Sequence, residues 1–251
     1  MLPSPEQSFG PVPGARSDFR STHWSLVQLA GGASSPESTE ALEQLCHAYW
    51  RPLYAFVRRE GHSPEEAKDL TQEFFRRLLA NHGLTGVNPG KGRFRTFLLA
   101  SIKNLLVNEW HRARAQKRGG DTVTFSLDET LEEERYHAEL ADTLTPEKLF
   151  DRRWAEALLE RVLLSVREEW NRGEPEQRFE DLKVFLVERR GTVSFADGAS
   201  KLGVTVPALR SMVHRLRKSY REKVVEEISH TVSTPEEIED EVRHLFLALG
   251  D

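Results

Sequence analysis

Asp69 and Glu73 stand four residues apart, the spacing that brings two carboxylates together on one helix face, where they can ligate a metal ion or act as acid and base. No histidine or third carboxylate joins them at helical spacing, so the metal set is incomplete. An all-α hydrolase or nuclease built on Asp69, Glu73 and His62 requires a clustered metal site that this spacing does not provide. The turn Asn88-Pro89-Gly90-Lys91-Gly92 sets a lysine between glycines but lacks the full phosphate-loop pattern, and it is not read as a nucleotide site. The single cysteine, Cys46, cannot form an internal disulfide or assemble a zinc site by itself. No catalytic residue, metal or cofactor is therefore expected. What remains is chemistry of binding faces.

The elements that carry these faces are helices. Ser63-Pro64-Glu65-Glu66, Thr145-Pro146-Glu147 and Thr234-Pro235-Glu236-Glu237 each place a capping hydroxyl before a proline at the first helical position,. Apolar residues recur at spacings of three and four, as in Leu158, Val162, Leu163 and Val166, with no sustained β alternation,. The fold expected is all-α, with helices over Thr22–Ala30, Ser38–Arg59, Pro64–Ala80, Phe94–Gln116, Pro146–Trp170, Arg178–Arg189, Phe195–Leu202, Pro207–Ser229 and Pro235–Leu249. Gly119-Gly120 followed by acidic and polar residues reads as a linker. The expected organisation is an N-terminal extension over 1–37, a helical domain over 38–118, an acidic linker over 119–145, a second helical domain over 146–225, and an acidic helical extension over 226–251.

Charge separates the same segments. The chain of 251 residues has a net charge of -5, which alone argues against a nucleic-acid partner, yet a partner meets one face and not the average. Lys91, Arg93, Arg95, Lys103, Arg112, Arg114, Lys117 and Arg118 stand against Glu109 alone. A second block holds Lys201, Arg210, Arg215, Arg217, Lys218, Arg221 and Lys223 against Glu222. No apolar run is long enough to span a bilayer. Met1 to Ser21 lack the basic head and apolar stretch of a signal peptide, and a cytoplasmic location is expected.

Each block belongs to a recognisable surface. On the helix opened by Ser63-Pro64, Ala67, Leu70, Phe74 and Leu78 form an apolar stripe, and Asp69, Gln72, Glu73 and Arg76 are expected on the opposite face, presented to a partner. The helix after Gly92 buries Leu98, Leu99, Ile102, Leu105 and Leu106. It turns Lys103, Trp110, His111, Arg114 and Arg118 outward, a cationic face with an aromatic, as single-strand binding requires. Farther on, Ala199, Gly203, Leu209 and Met212 stand at helix-turn-helix spacing. Pro207 opens the second helix of that unit, and its outward residues Arg210, Ser211, His214, Arg215 and Lys218 can reach phosphates and base edges. Gly198 lies inside the first helix, at a cost of about 1 kcal/mol relative to alanine.

The run Asp69-Leu70-Thr71-Gln72-Glu73-Phe74-Phe75, then Gly92-Arg93-Phe94-Arg95-Thr96-Phe97-Leu98 and Lys103-Asn104, resembles the second conserved region of bacterial sigma factors of the extracytoplasmic-function class, in the sigma-70 superfamily. The Phe195 to Arg221 segment resembles their fourth region. Together the two cover about residues 41–118 and 150–225. The resemblance implies two helical domains joined by a linker, and a subunit that binds core RNA polymerase and directs promoter recognition and melting without catalysing a reaction. It implies that Asp69, Gln72, Glu73 and Arg76 dock on the polymerase. It assigns the minus-ten element to Lys91, Arg93, Arg95, Lys103, Asn104, Trp110, His111 and Arg114. Pro207, Arg210, Ser211, His214, Arg215 and Lys218 would meet the minus-thirty-five duplex.

The N-terminal forty residues, the long acidic linker, Gly198 and the acidic helix after Thr234 depart from the two-domain minimum of that family. Two roles are open to the last of these: shielding a basic face within the chain or contacting a regulator such as an anti-sigma protein, against packing Ile238, Val242, Leu245 and Leu249 on the second domain as a solvated acidic helix. The alternative function is a helix-turn-helix regulator that binds duplex DNA without acting as a polymerase subunit; the Asp69 to Phe75 motif speaks against it.

Overall fold

A computed structural model describes residues 27, 30, 36–80, 84, 93–115, 144–172, 176–187, 193–229, 232 and 235–250. Among these residues there are eight helices and no strand. They are α1 (Pro36–Arg59), α2 (Pro64–Ala80), α3 (Phe94–Ala115), α4 (Pro146–Asn171), α5 (Glu176–Val187), α6 (Phe195–Leu202), α7 (Val206–Ser229) and α8 (Pro235–Gly250). The helix expected over Thr22–Ala30 is described only at Val27 and Ala30, both helical and buried. Up to residue 143, the expected linker lies outside the described residues. No helix among those described is long and apolar enough to cross a membrane.

The helix starts follow the caps. Ser63 Oγ accepts from the Glu66 amide at 3.3 Å while Glu66 Oε2 accepts from the Ser63 amide at 3.0 Å, a reciprocal capping box,. The Ser63 bonds hold the Glu66 carboxyl below its ordinary pKa. Thr145 caps α4 through the Lys148 amide at 3.3 Å, with Pro146 in the first turn,. Ser194 caps α6 and Thr205 caps α7 in the same way.

Helix α4 is the hub. It packs along α1 and also meets α5, α7 and α8. Tyr49, Leu53 and Phe56 of α1, Phe75 of α2, Leu98 and Ile102 of α3, Phe150 and Leu158 of α4, Leu209 of α7 and Leu245 of α8 belong to one hydrophobic cluster. Each fully buried side chain of this size contributes about 1.5–3 kcal/mol. Polar ties fix the α1–α4 contact: Arg51 pairs with Glu160 at 2.7 Å, and Arg59 Nε donates to the Leu144 carbonyl at 2.9 Å.

Helix α6 ends at Gly203, whose φ of 64° is left-handed. The Val204 amide donates to the Ala199 carbonyl at 3.0 Å and the Gly203 amide to Ser200 at 3.2 Å, a Schellman closure that turns the chain into α7,. Gly198, a cost to helix propensity, has a packing reason. A Cβ there would lie 2.8 Å from the buried Phe185 ring and 3.1 Å from Leu209 Cδ2, so its absence lets α6 seat on α5 and α7. Gly198→Ala should destabilise the chain by about 1 kcal/mol, overpacking of about 1–3 kcal/mol exceeding the gain in helix propensity. Gly198→Val should lose more, and Phe185→Leu should relieve both, as read by urea unfolding; an alanine variant more stable than wild type would contradict this account.

Cys46 is buried on α1, and burial, with the nearby Glu43 charge adding to it, pushes its thiol up to about 12. Since the thiolate is the nucleophile, the folded chain should resist iodoacetamide at pH 8 and take one adduct only in denaturant, as intact mass will show.

Candidate functional site

Three surfaces carry the residues singled out in the sequence. On α2, Asp69 and Arg76 are exposed and Glu73 is half-buried. Glu73 accepts from Arg76 Nε at 2.5 Å, Arg76 Nη2 at 2.7 Å and Arg77 Nε at 2.5 Å. Arg77 continues to Glu109 of α3 at 2.6 Å. The Arg76 hydrogen bond, then those of Arg77, hold the Glu73 carboxyl below its ordinary pKa despite partial burial. This face is an ordered ionic cluster, fixed to α3.

Gln72 corrects the expectation of an exposed face. It is 5% exposed, and its Oε1 and Nε2 both lie buried without a hydrogen-bond partner. The buried side of α2 is wider than the Ala67, Leu70, Phe74 and Leu78 stripe, taking in Thr71 and Phe75 as well, and Gln72 falls beyond Phe75 on that widened flank.

The α3 surface divides into covered cations and open aromatics. Arg95, assigned by the resemblance to the minus-ten element, is 7% exposed. Its Nε and Nη2 meet Glu241 Oε1 and Oε2 of α8 at 2.9 and 3.0 Å, and its Nη1 meets Asp151 of α4 at 2.9 Å. The guanidinium lies 4.7 Å from the Trp154 ring centroid. Burial by itself favours the neutral form, but the Glu241 hydrogen bonds and charge, with Asp151, more than offset it and raise the Arg95 pKa. Arg93 Nε also reaches Glu241, at 2.9 Å. Lys103 pairs with Glu147 of α4 at 2.6 Å, and that bond is the main reason the Glu147 pKa is lowered. Asn104, Trp110 and His111 are exposed, Trp110 and His111 meeting edge to face at 4.9 Å. Lys91 and the side chain of Arg114 lie outside the described residues.

On α7, Leu209, Met212, Val213 and Leu216 are buried, while Pro207, Arg210, Ser211, His214, Arg215 and Lys218 are exposed. Ser211 Oγ donates to the Pro207 carbonyl at 3.2 Å. Arg210 lies over Phe195 and Arg215 over Trp170, each 5.8 Å from the ring centroid. A cleft of about 580 Å³ runs beside Phe195, Arg210, His214, Lys218 and Arg221. Arg217, in the same basic block, instead donates to the Phe185 carbonyl at 2.8 Å, holding α5 to α7.

Compared with known families, the stretch from α1 through α3 decides the likeness. Residues 45–116 match sigma-70 region 2. No curated protein and no solved structure matches the chain. The region 2 segment therefore contains the α2 face and the α3 surface, and the acids that cover its cations come from α4 and α8, outside it. Sequence reading missed those acids, Glu147, Asp151 and Glu241; their spacing to the arginines carries no local signal, and only the excess of acid after Glu226 hinted at them.

A buried amide without a partner costs about 1–3 kcal/mol relative to an apolar group of similar shape. Gln72→Met in the region 2 segment should therefore raise stability by about 1 kcal/mol in urea unfolding. A loss of stability would mean that the amide is satisfied in solution.

Proposed function

We propose that this chain is a bacterial sigma factor of the extracytoplasmic-function class, which binds core RNA polymerase and directs promoter recognition and melting. The observation that carries the reading is the region 2 match over 45–116, which coincides with the Asp69 to Phe75 and Gly92 to Leu98 runs. In this reading Asp69 and Arg76, exposed on an α2 face braced by Glu73 and Arg77, dock on the polymerase. Gln72 takes part only after a rearrangement that uncovers it.

Lys91, Arg93, Arg95, Lys103, Asn104 and Arg114 hold the minus-ten strand, and the exposed Trp110 with His111 offers a ring for an unstacked base. Stacking contributes about 1–3 kcal/mol per base and helps offset unpairing. The α6–turn–α7 unit acts as a helix-turn-helix. Pro207 opens its recognition helix, and Arg210, Ser211, His214, Arg215 and Lys218 face the minus-thirty-five duplex. The factor works in the cytoplasm with promoter DNA and the polymerase as partners, an anti-sigma protein or other regulator being a further class of partner. It needs no cofactor, and the polymerase supplies the chemistry.

Pull-down with purified bacterial core polymerase tests the reading. The full chain should be retained, and an Asp69→Ala, Arg76→Ala double variant should lose at least about tenfold in affinity, because interface residues of this kind contribute about 1–2 kcal/mol each. A wild-type chain that ignores the polymerase yet binds duplex DNA would make it a regulator that acts alone.

A further inference from the structure

The acids that meet the α3 cations are remote in sequence, with 146 positions separating Arg95 from Glu241 and 44 separating Lys103 from Glu147. Building on the reading of α3 as a DNA-binding face, we propose that α8 and the start of α4 mask this face in the free chain, so that DNA must displace α8 to reach Arg93 and Arg95. Glu241 holds Arg95 through two parallel bonds, the fork that a guanidinium also offers a phosphate,. The same carboxylate takes Arg93. One glutamate thus fills the place of a phosphate between two arginines, and Glu147 does so at Lys103.

Helix α8 has few fully buried anchors. Of its described side chains, Glu241 and Leu245 are buried, and the others are half-buried or exposed, Phe246 and Leu247 at 62% and 63%. Its two buried anchors are one ionic and one apolar, helped by the half-buried Ile238, Val242 and Leu249 on the core and by His244 beside Asp151 at 3.2 Å. Asn104, Trp110 and His111 stay open, so the mask covers the electrostatic part of the face and leaves the stacking part accessible. A chain that is competent only when α8 is displaced binds more weakly by the fraction competent.

Fluorescence anisotropy of the full chain with a fluorescein-labelled single-stranded DNA, titrated with NaCl, tests the mask. Glu241→Gln, which keeps the shape of the side chain, should tighten binding about tenfold and steepen the log K against log salt slope by about 0.7 for each arginine released. Glu147→Gln, at a half-exposed pair, should tighten it about threefold. Glu239→Gln changes the charge equally at an exposed α8 position and should leave wild-type behaviour; a gain equal to that of Glu241→Gln overturns the mask as mere net charge. Wild-type affinity and slope in Glu241→Gln and Glu147→Gln, each folded by circular dichroism, also overturn it, while retained polymerase binding by the wild type keeps the sigma reading. If Glu241→Gln fails to fold, Glu147→Gln decides alone. Adding Arg93→Gln to Glu241→Gln should cancel about half of the slope change, the share of one of two arginines; a gain left wholly intact puts the DNA elsewhere and overturns both the mask and the α3 assignment.

Discussion

A guanidinium stays charged at every pH the folded chain meets, so taking Arg95 out of water obliges the fold to supply anions around it. Asp151 and Glu241 meet that need, and the Trp154 ring closes the remaining side. The three helices joined there, α3, α4 and α8, are thereby set in register by one side chain. Apolar burial is non-directional, and the Leu245, Phe94 and Phe150 contacts alone would tolerate sliding. A two-pronged bond between planar groups does not. Tyr49, edge to face with Phe94 at 5.5 Å, carries the same register into α1.

The two basic blocks end in different electrical settings. On α3 the described cations face carboxylates brought from distant helices. On α7, Arg210 lies over Phe195 and Arg215 over Trp170, while Lys218 pairs with Glu222 one turn along the same helix at 3.7 Å. A ring face attracts a cation without consuming its N–H donors, whereas an ion pair occupies them. The ring contacts of Arg210 and Arg215 thus leave their N–H groups unspent, whereas Arg95 spends its own on Glu241 and Asp151.

Much of the helical frame was legible because helix ends are local chemistry. Ser63-Pro64 and Thr145-Pro146 mark starts that the structure places at the same prolines, and the Gly203 turn follows from a single glycine that can adopt positive φ. Burial on the flank of a helix was not legible. The stripe of α2 locates its core face, but how far a neighbour wraps around that face depends on packing, and Gln72 falls inside the margin. Arg95 eluded the reading for a deeper reason: a cation on an amphipathic helix is read as solvated, and its partner Glu241 lies too far along the chain for any spacing rule. Gly198 shows the intermediate case, where the local cost was visible but the Phe185 ring that explains it was not.

Glu241 has 2% of its side chain exposed, whereas the polyanion proposed to reach α3 would approach through solution. Dissolved ions act unequally on these two rivals for the arginines, since exposed charges are screened over about 8 Å at physiological ionic strength and buried ones far less. Added salt weakens the external ligand and leaves the internal one nearly untouched. If α8 masks α3 as proposed, their junction is an ionic-strength discriminator: a dilute ionic medium favours an outside anion, a concentrated one favours the chain's own carboxylate.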